Sequence, residues 1–103
     1  MRDDRLRLED IRDAIGQIRK HAWRGRLAFD QDELIRVWIL HHLEIIGEAC
    51  RGLSADFRRS HPESVWSDAI SFRGVVAHQY LGIDFEAVWA VVERDLPDLE
   101  RKV

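Results

Sequence analysis

At 103 residues, with 46% apolar and 34% charged side chains, the chain is sized for one soluble domain with its own core, which excludes a disordered segment. A net charge of −3 excludes a broadly basic nucleic-acid binder, so any attraction for phosphate has to be local. The single cysteine, Cys50, excludes an internal disulfide framework and a multi-cysteine zinc site.

The first helix is expected from about Asp4 to Trp23, because Leu8, Ile11, Ile15, Ile18 and Ala22 recur three or four residues apart. Arg24-Gly25-Arg26 ends it. Asp30 and Glu33 then form a capping pattern for a second helix that could run to Arg59. Its apolar residues, among them Leu34, Ile35, Trp38, Leu43, Ile45, Ile46, Ala49, Cys50, Leu53 and Phe57, fill about half the circumference. That breadth predicts the central helix of a bundle. His61-Pro62 breaks it, and a third helix carries Trp66 to about His78, with Gly82 marking its exit. Asp84 caps a fourth helix with Phe85, Val88, Trp89, Val92 and Leu96 on one face, and Pro97 permits a last short turn. The expected fold is all-α, an up-and-down bundle of four to five helices forming one domain over residues 1–103. The longest clean apolar run, Ala87 to Val92, is far short of a bilayer span, and Met1-Arg2-Asp3-Asp4-Arg5 lacks a signal peptide's apolar core. A cytoplasmic protein without a membrane anchor is expected.

The densest chemistry lies in Arg73-Gly74-Val75-Val76-Ala77-His78-Gln79-Tyr80. Arginine offers permanent charge with forked donors suited to phosphate, and histidine moves protons near neutral pH. On an ideal helix Arg73 falls within about 20° of Trp66, on an apolar stripe where a guanidinium needs a partner. Glu48 in the central helix is the candidate partner, and a structural ion pair and a catalytic role can coexist. His78 lies about 140° around the helix from Arg73, so one continuous helix aims the two apart. Either the helix frays near Ala77, or an Arg and a His from two subunits share one cleft. Ser67, Ser71, Gly74 and His78 form a second stripe of mostly small residues that permits close approach by a backbone, a subunit or a ligand. A helix-capping role for His78 and a core role for Tyr80 stand beside these readings.

The R-x4-H-x-Y spacing resembles the signature of HEPN ribonucleases, above all the HepT-like toxins of toxin–antitoxin pairs. The resemblance extends through Leu43-Glu44-Ile45-Ile46-Gly47-Glu48-Ala49, Leu53, Phe57, His61-Pro62-Glu63 and Trp66, then Gly82-Ile83-Asp84, Trp89 and Asp95-Leu96-Pro97. It implies an endoribonuclease that needs no metal or other cofactor. His78 would exchange protons with the ribose 2′-hydroxyl or the leaving oxygen, and Arg73 would stabilise charge on the phosphorane. It also implies a homodimer built around the motifs, and a cognate minimal nucleotidyltransferase antitoxin that attaches AMP to Tyr80. One position departs from the family: the residue after the motif arginine, often Asn or another polar residue, is Gly74. The alternative reading is a non-catalytic HEPN adaptor that binds a nucleotidyltransferase.

Other constellations are weaker. His41, Glu44 and Glu48 share one edge of the central helix, but no aspartate cluster joins them, and no metal site is assigned. His42 falls within the apolar face and reads as a bonded core or interface residue. Arg51, Arg58 and Arg59 could contact RNA phosphate, although cations at a helix C-terminus are ordinary. Trp23, Trp38, Trp66 and Trp89 are expected mostly in the core. Cys50 has no helical histidine beside it and is not read as a nucleophile.

Overall fold

The computed structural model describes residues 3–61, 66, 69–70 and 84–103. The described residues are helical with no strand, as expected for an all-α bundle. Helix α1 spans Asp4–Ala22, α2 Arg26–Gln31, α3 Glu33–Arg51 and α4 Ala55–Ser60. Residues 66, 69 and 70 are helical. Helix α5 spans Phe85–Ala90, a π-helical turn covers Val91–Asp95, and α6 spans Leu96–Lys102.

Helix α1 starts where expected, because the Asp3 side chain accepts the Leu6 amide at 2.9 Å and so satisfies an amide with no partner inside the helix. It ends at Ala22, and Gly25, whose φ of 91° suits a residue without Cβ, turns the chain into α2. Its buried face is Ile11, Ala14, Ile15 and Ile18. This face packs mainly on α3, which contributes Ile35, Ile39, Leu43, Ile46, Ala49 and Cys50. The two helices run antiparallel. Asp4 bonds Ser54 at one end, and Trp38 Nε1–H donates to the Gln17 carbonyl at 2.7 Å towards the other. Phe29, Val88, Val91, Leu96 and Leu99 complete the core with Leu53, Trp66 and Ala69.

The long second helix expected from Asp30 to Arg59 is three elements. Asp32, not Asp30, caps α3 by accepting the Leu34 amide at 2.9 Å, while Asp30 lies in α2 and pairs with Arg26 at 2.9 Å. At the other end Gly52 closes α3, Leu53 turns into the core, and Ser54 caps α4 by accepting the Phe57 amide at 3.0 Å. A glycine and a serine two residues apart supply a stop and a new start, which outweigh the continuous apolar pattern. Leu34, expected in the buried arc, is 80% exposed at the start of α3, while the next residue, Ile35, takes the core-facing position of that turn at 4% exposed. Trp23 is 78% exposed at the α1 C-cap, against the expectation of a core tryptophan, with its Nε1–H donating to Lys20 O at 2.8 Å. Asp84 caps α5 as anticipated, accepting the Ala87 amide at 3.2 Å. The π-turn ends two residues before Pro97, which has no N–H and whose ring crowds the preceding carbonyls.

Candidate functional site

Arg73, Gly74, His78 and Tyr80 lie outside the described residues, as do Ser67, Ser71 and the end expected for the third helix. The described residues supply what brackets that segment. Upstream, Trp66 is 3% exposed and donates its Nε1–H to the His61 carbonyl at 2.9 Å. It meets Phe57 edge-on at 5.6 Å, and Phe57 stacks on His61 at 4.4 Å. Ala69, one turn further on, is fully buried. Downstream, the Asp84 cap leads into Val88 in the core and into Trp89, which packs on Phe29 at 5.2 Å. Both flanks of the motif are therefore anchored in apolar packing.

Glu48 lies exposed on α3 and is engaged in an interaction, so it is not a spare carboxylate. His41 and Glu44 are exposed on the same helix. Among the described residues no group of three or more His, Cys, Asp or Glu side chains could hold a metal ion.

His42 is 8% exposed, and its Nδ1 lies 2.7 Å from the Trp38 carbonyl. A carbonyl only accepts, so Nδ1 carries a proton and donates it to Trp38. The expected bonded core histidine is what the structure shows. It borders a shallow groove of about 210 Å³ between α1 and α3, lined also by Asp10, Asp13, Gln17 and Ile45. Cys50 is fully buried, and burial pushes its thiol up to about 12. It stays protonated near neutral pH and is no nucleophile.

The corner where α1 meets the α3–α4 turn was not legible as a unit in the sequence. The Asp4 carboxylate accepts both the Ser54 amide at 2.8 Å and the Ser54 hydroxyl at 2.7 Å. These bonds hold the Asp4 carboxyl below its ordinary value of 3.8, since they favour the charged form. One turn on, the Arg7 guanidinium lies directly over Gly52. A Cβ there would stand 2.6 Å from Cζ and 2.7 Å from Nε of Arg7. Gly52 has φ −81°, so the close approach, not the backbone conformation, is what requires glycine. Arg7 Nε is buried without a hydrogen-bond partner among the described residues, an arrangement that costs about 1–3 kcal/mol. The usable signal was Gly52 followed by Ser54, a helix end and a new cap inside what reads as one helix.

Capped helices around one apolar core define an all-α bundle among the described residues. The chain belongs to the ribonuclease HepT-like family, whose family model matches residues 11–103. It is 35% identical over 98 residues to a protein of Thermococcus cleftensis named "Probable ribonuclease HepT", covering 92% of this chain and 87% of that one. It is 36% identical over 75 residues to a protein of Methanocaldococcus jannaschii whose name marks it as a candidate RNase, covering 73% of this chain and 69% of the relative. A similarly named protein of Caldanaerobacter subterraneus is 31% identical over 75 residues, covering 73% and 67%. No solved structure matches the chain. Among the described residues no helix is long and apolar enough to cross a membrane.

Proposed function

We propose that this protein is a metal-independent endoribonuclease and the toxin of a toxin–antitoxin pair. The observation that carries the reading is the R-x4-H-x-Y sequence, Arg73 to Tyr80, inside the span that matches the ribonuclease HepT-like family. Names of relatives that refer to ribonuclease activity support the same reading.

In the proposed mechanism the ribose 2′-hydroxyl is the nucleophile. His78 takes its proton, the 2′-oxygen forms a bond to phosphorus, and the bond to the 5′-oxygen breaks. The leaving oxygen collects a proton, and Arg73 stabilises the negative charge on the non-bridging oxygens at the transition state. The products are a 2′,3′-cyclic phosphate and a free 5′-hydroxyl, and DNA is not cut because it lacks the nucleophile. The working unit is a homodimer in which the motifs of two subunits face one groove, in the cytoplasm. A nucleotidyltransferase partner attaches AMP to Tyr80. That modification adds about one negative charge and a bulky base next to the groups that receive phosphate.

The test is incubation with single-stranded RNA in excess chelator, followed by identification of the product ends. Cyclic phosphate termini are expected, and cleavage only on addition of Mg²⁺ contradicts the mechanism. For regulation, mass spectrometry after co-expression with a partner nucleotidyltransferase should place AMP on Tyr80 and on no other residue, and Tyr80→Phe should escape it. The second reading, a non-catalytic adaptor, draws on the net charge of −3 and on Gly74, where the family often carries a polar side chain. RNA left uncut under all conditions, with a nucleotidyltransferase still bound, would favour it.

A further inference from the structure

We propose that Arg7, Arg51 and Arg58 form an accessory patch that holds the phosphodiester backbone of RNA outside the cleavage motif. This inference rests on the ribonuclease reading and deepens it by locating the positive charge that an acidic protein needs.

The three arginines belong to one corner of the fold. Arg51 is the last residue of α3 and precedes Gly52, on which the Arg7 guanidinium lies. Asp4, one turn before Arg7, is bonded to Ser54, and the Ser54 carbonyl accepts the Arg58 amide at 3.1 Å. One helical turn, about 6 Å, therefore separates Ser54 from Arg58 along α4.

What distinguishes this corner is a cluster of arginines without local neutralisation. Five other arginines are matched by carboxylates: Arg5 with Glu9, Arg19 with Glu100, Arg26 with Asp30 and Glu86, Arg59 with Asp56, and Arg101 with Asp98. Arg7, Arg51 and Arg58 have no ion-pair partner among the described residues, and Arg51 and Arg58 are exposed. The Asp4 carboxylate in this corner is turned to the two Ser54 donors. The partial negative charge at the α3 C-terminus favours Arg7 where it lies but leaves its formal charge uncompensated. A polyanion supplies what the fold withholds. Arginine forks donate to phosphate oxygens in pairs, and bonds of this kind position nucleic acid without reading sequence. Glu48, the candidate partner of Arg73, lies one turn before Arg51 on α3, so a strand held at this corner runs past the element proposed to support the motif.

The test measures binding of an oligoribonucleotide of about twenty nucleotides, carrying 2′-O-methyl riboses so that it cannot be cut, across a salt series. Combined Arg7→Gln, Arg51→Gln and Arg58→Gln should weaken binding at least tenfold and lower the salt slope by about 0.7 for each phosphate no longer neutralised. A control with Arg5→Gln, Arg19→Gln and Arg101→Gln removes the same charge from paired arginines and should weaken binding far less. Gly52→Ala should reproduce the effect of Arg7→Gln alone and add nothing to it, because its Cβ displaces the same guanidinium. Unchanged affinity and slope in a triple variant with wild-type helicity, or an equal weakening in the control, overturns the proposal. RNA held through these arginines but never cut removes the ribonuclease reading and leaves this inference standing. RNA cut without regard to them does the reverse, and a wild-type protein that binds no RNA removes both.

Discussion

Two arginines sit at two helix C-termini in this molecule, and they are treated in opposite ways. At α2, Arg36 donates to the carbonyls of Phe29 at 3.1 Å and Asp30 at 2.5 Å, while its guanidinium lies 5.3 Å from the centre of the Phe85 ring. It is spent on structure. At α3, Arg7 lies over Gly52 with its Nε unpaired among the described residues, and the neighbouring Arg51 and Arg58 have no acidic partner there. The surroundings differ as well. The α2 end leaves Trp23, Leu27 and Leu34 exposed, whereas the α3 end is polar and cationic. Net charge hides this difference, because a chain at −3 can still leave positive charge available at one corner.

The comparison breaks altogether if the helix pair that separates the two ends comes apart. Ile39 is fully buried between them, and Ile39→Ala should cost about 2–5 kcal/mol in a denaturant titration. At the α3 end, Ser54→Ala removes the α4 cap and one of the two donors to Asp4, for an expected loss of about 1–2 kcal/mol. Asp32→Ala at the α2 end removes only the α3 cap and should cost about 1 kcal/mol. Finding the Asp32 variant less stable than the Ser54 variant would show that the corner gains nothing from the link to α1. The smallest effect concerns acid. Because the Asp4 carboxyl is held below 3.8 in the folded chain, its contribution is present above that value and fades as pH falls through the lowered one. Asp4→Asn should make the folded protein's acid sensitivity shallower in that range, as followed by helicity.

Much of the fold was legible in the sequence. Ile11, Ile15 and Ile18 recur at helical spacing and are buried, and Asp84 reads as a cap and acts as one. The extent of the central helix was not. Its apolar pattern runs on through Leu53 and Phe57, and periodicity alone does not register that Gly52 and Ser54 break the backbone between them. Trp23 and Leu34 mislead for a related reason: both stand at helix ends, where only part of the apolar arc is covered, as buried Ile35 beside exposed Leu34 shows. The approach of Arg7 to Gly52 joins residues 45 positions apart and was invisible without the antiparallel pairing of α1 and α3. The candidate site stands the other way round. Arg73, His78 and Tyr80 were legible from residue chemistry and spacing, and the described structure covers what flanks them along the chain: Trp66 and Ala69 upstream, and the Asp84 cap downstream.

The most direct measurement of the central claim is RNA cleavage in excess chelator by the wild-type protein and by His78→Ala, with helicity and melting temperature recorded for both. The wild-type protein should cut, and the variant should fold normally and lose about 10²–10⁴-fold in rate, the usual contribution of a positioned proton-transfer group. A His78→Ala protein that cuts RNA at the wild-type rate would contradict the account.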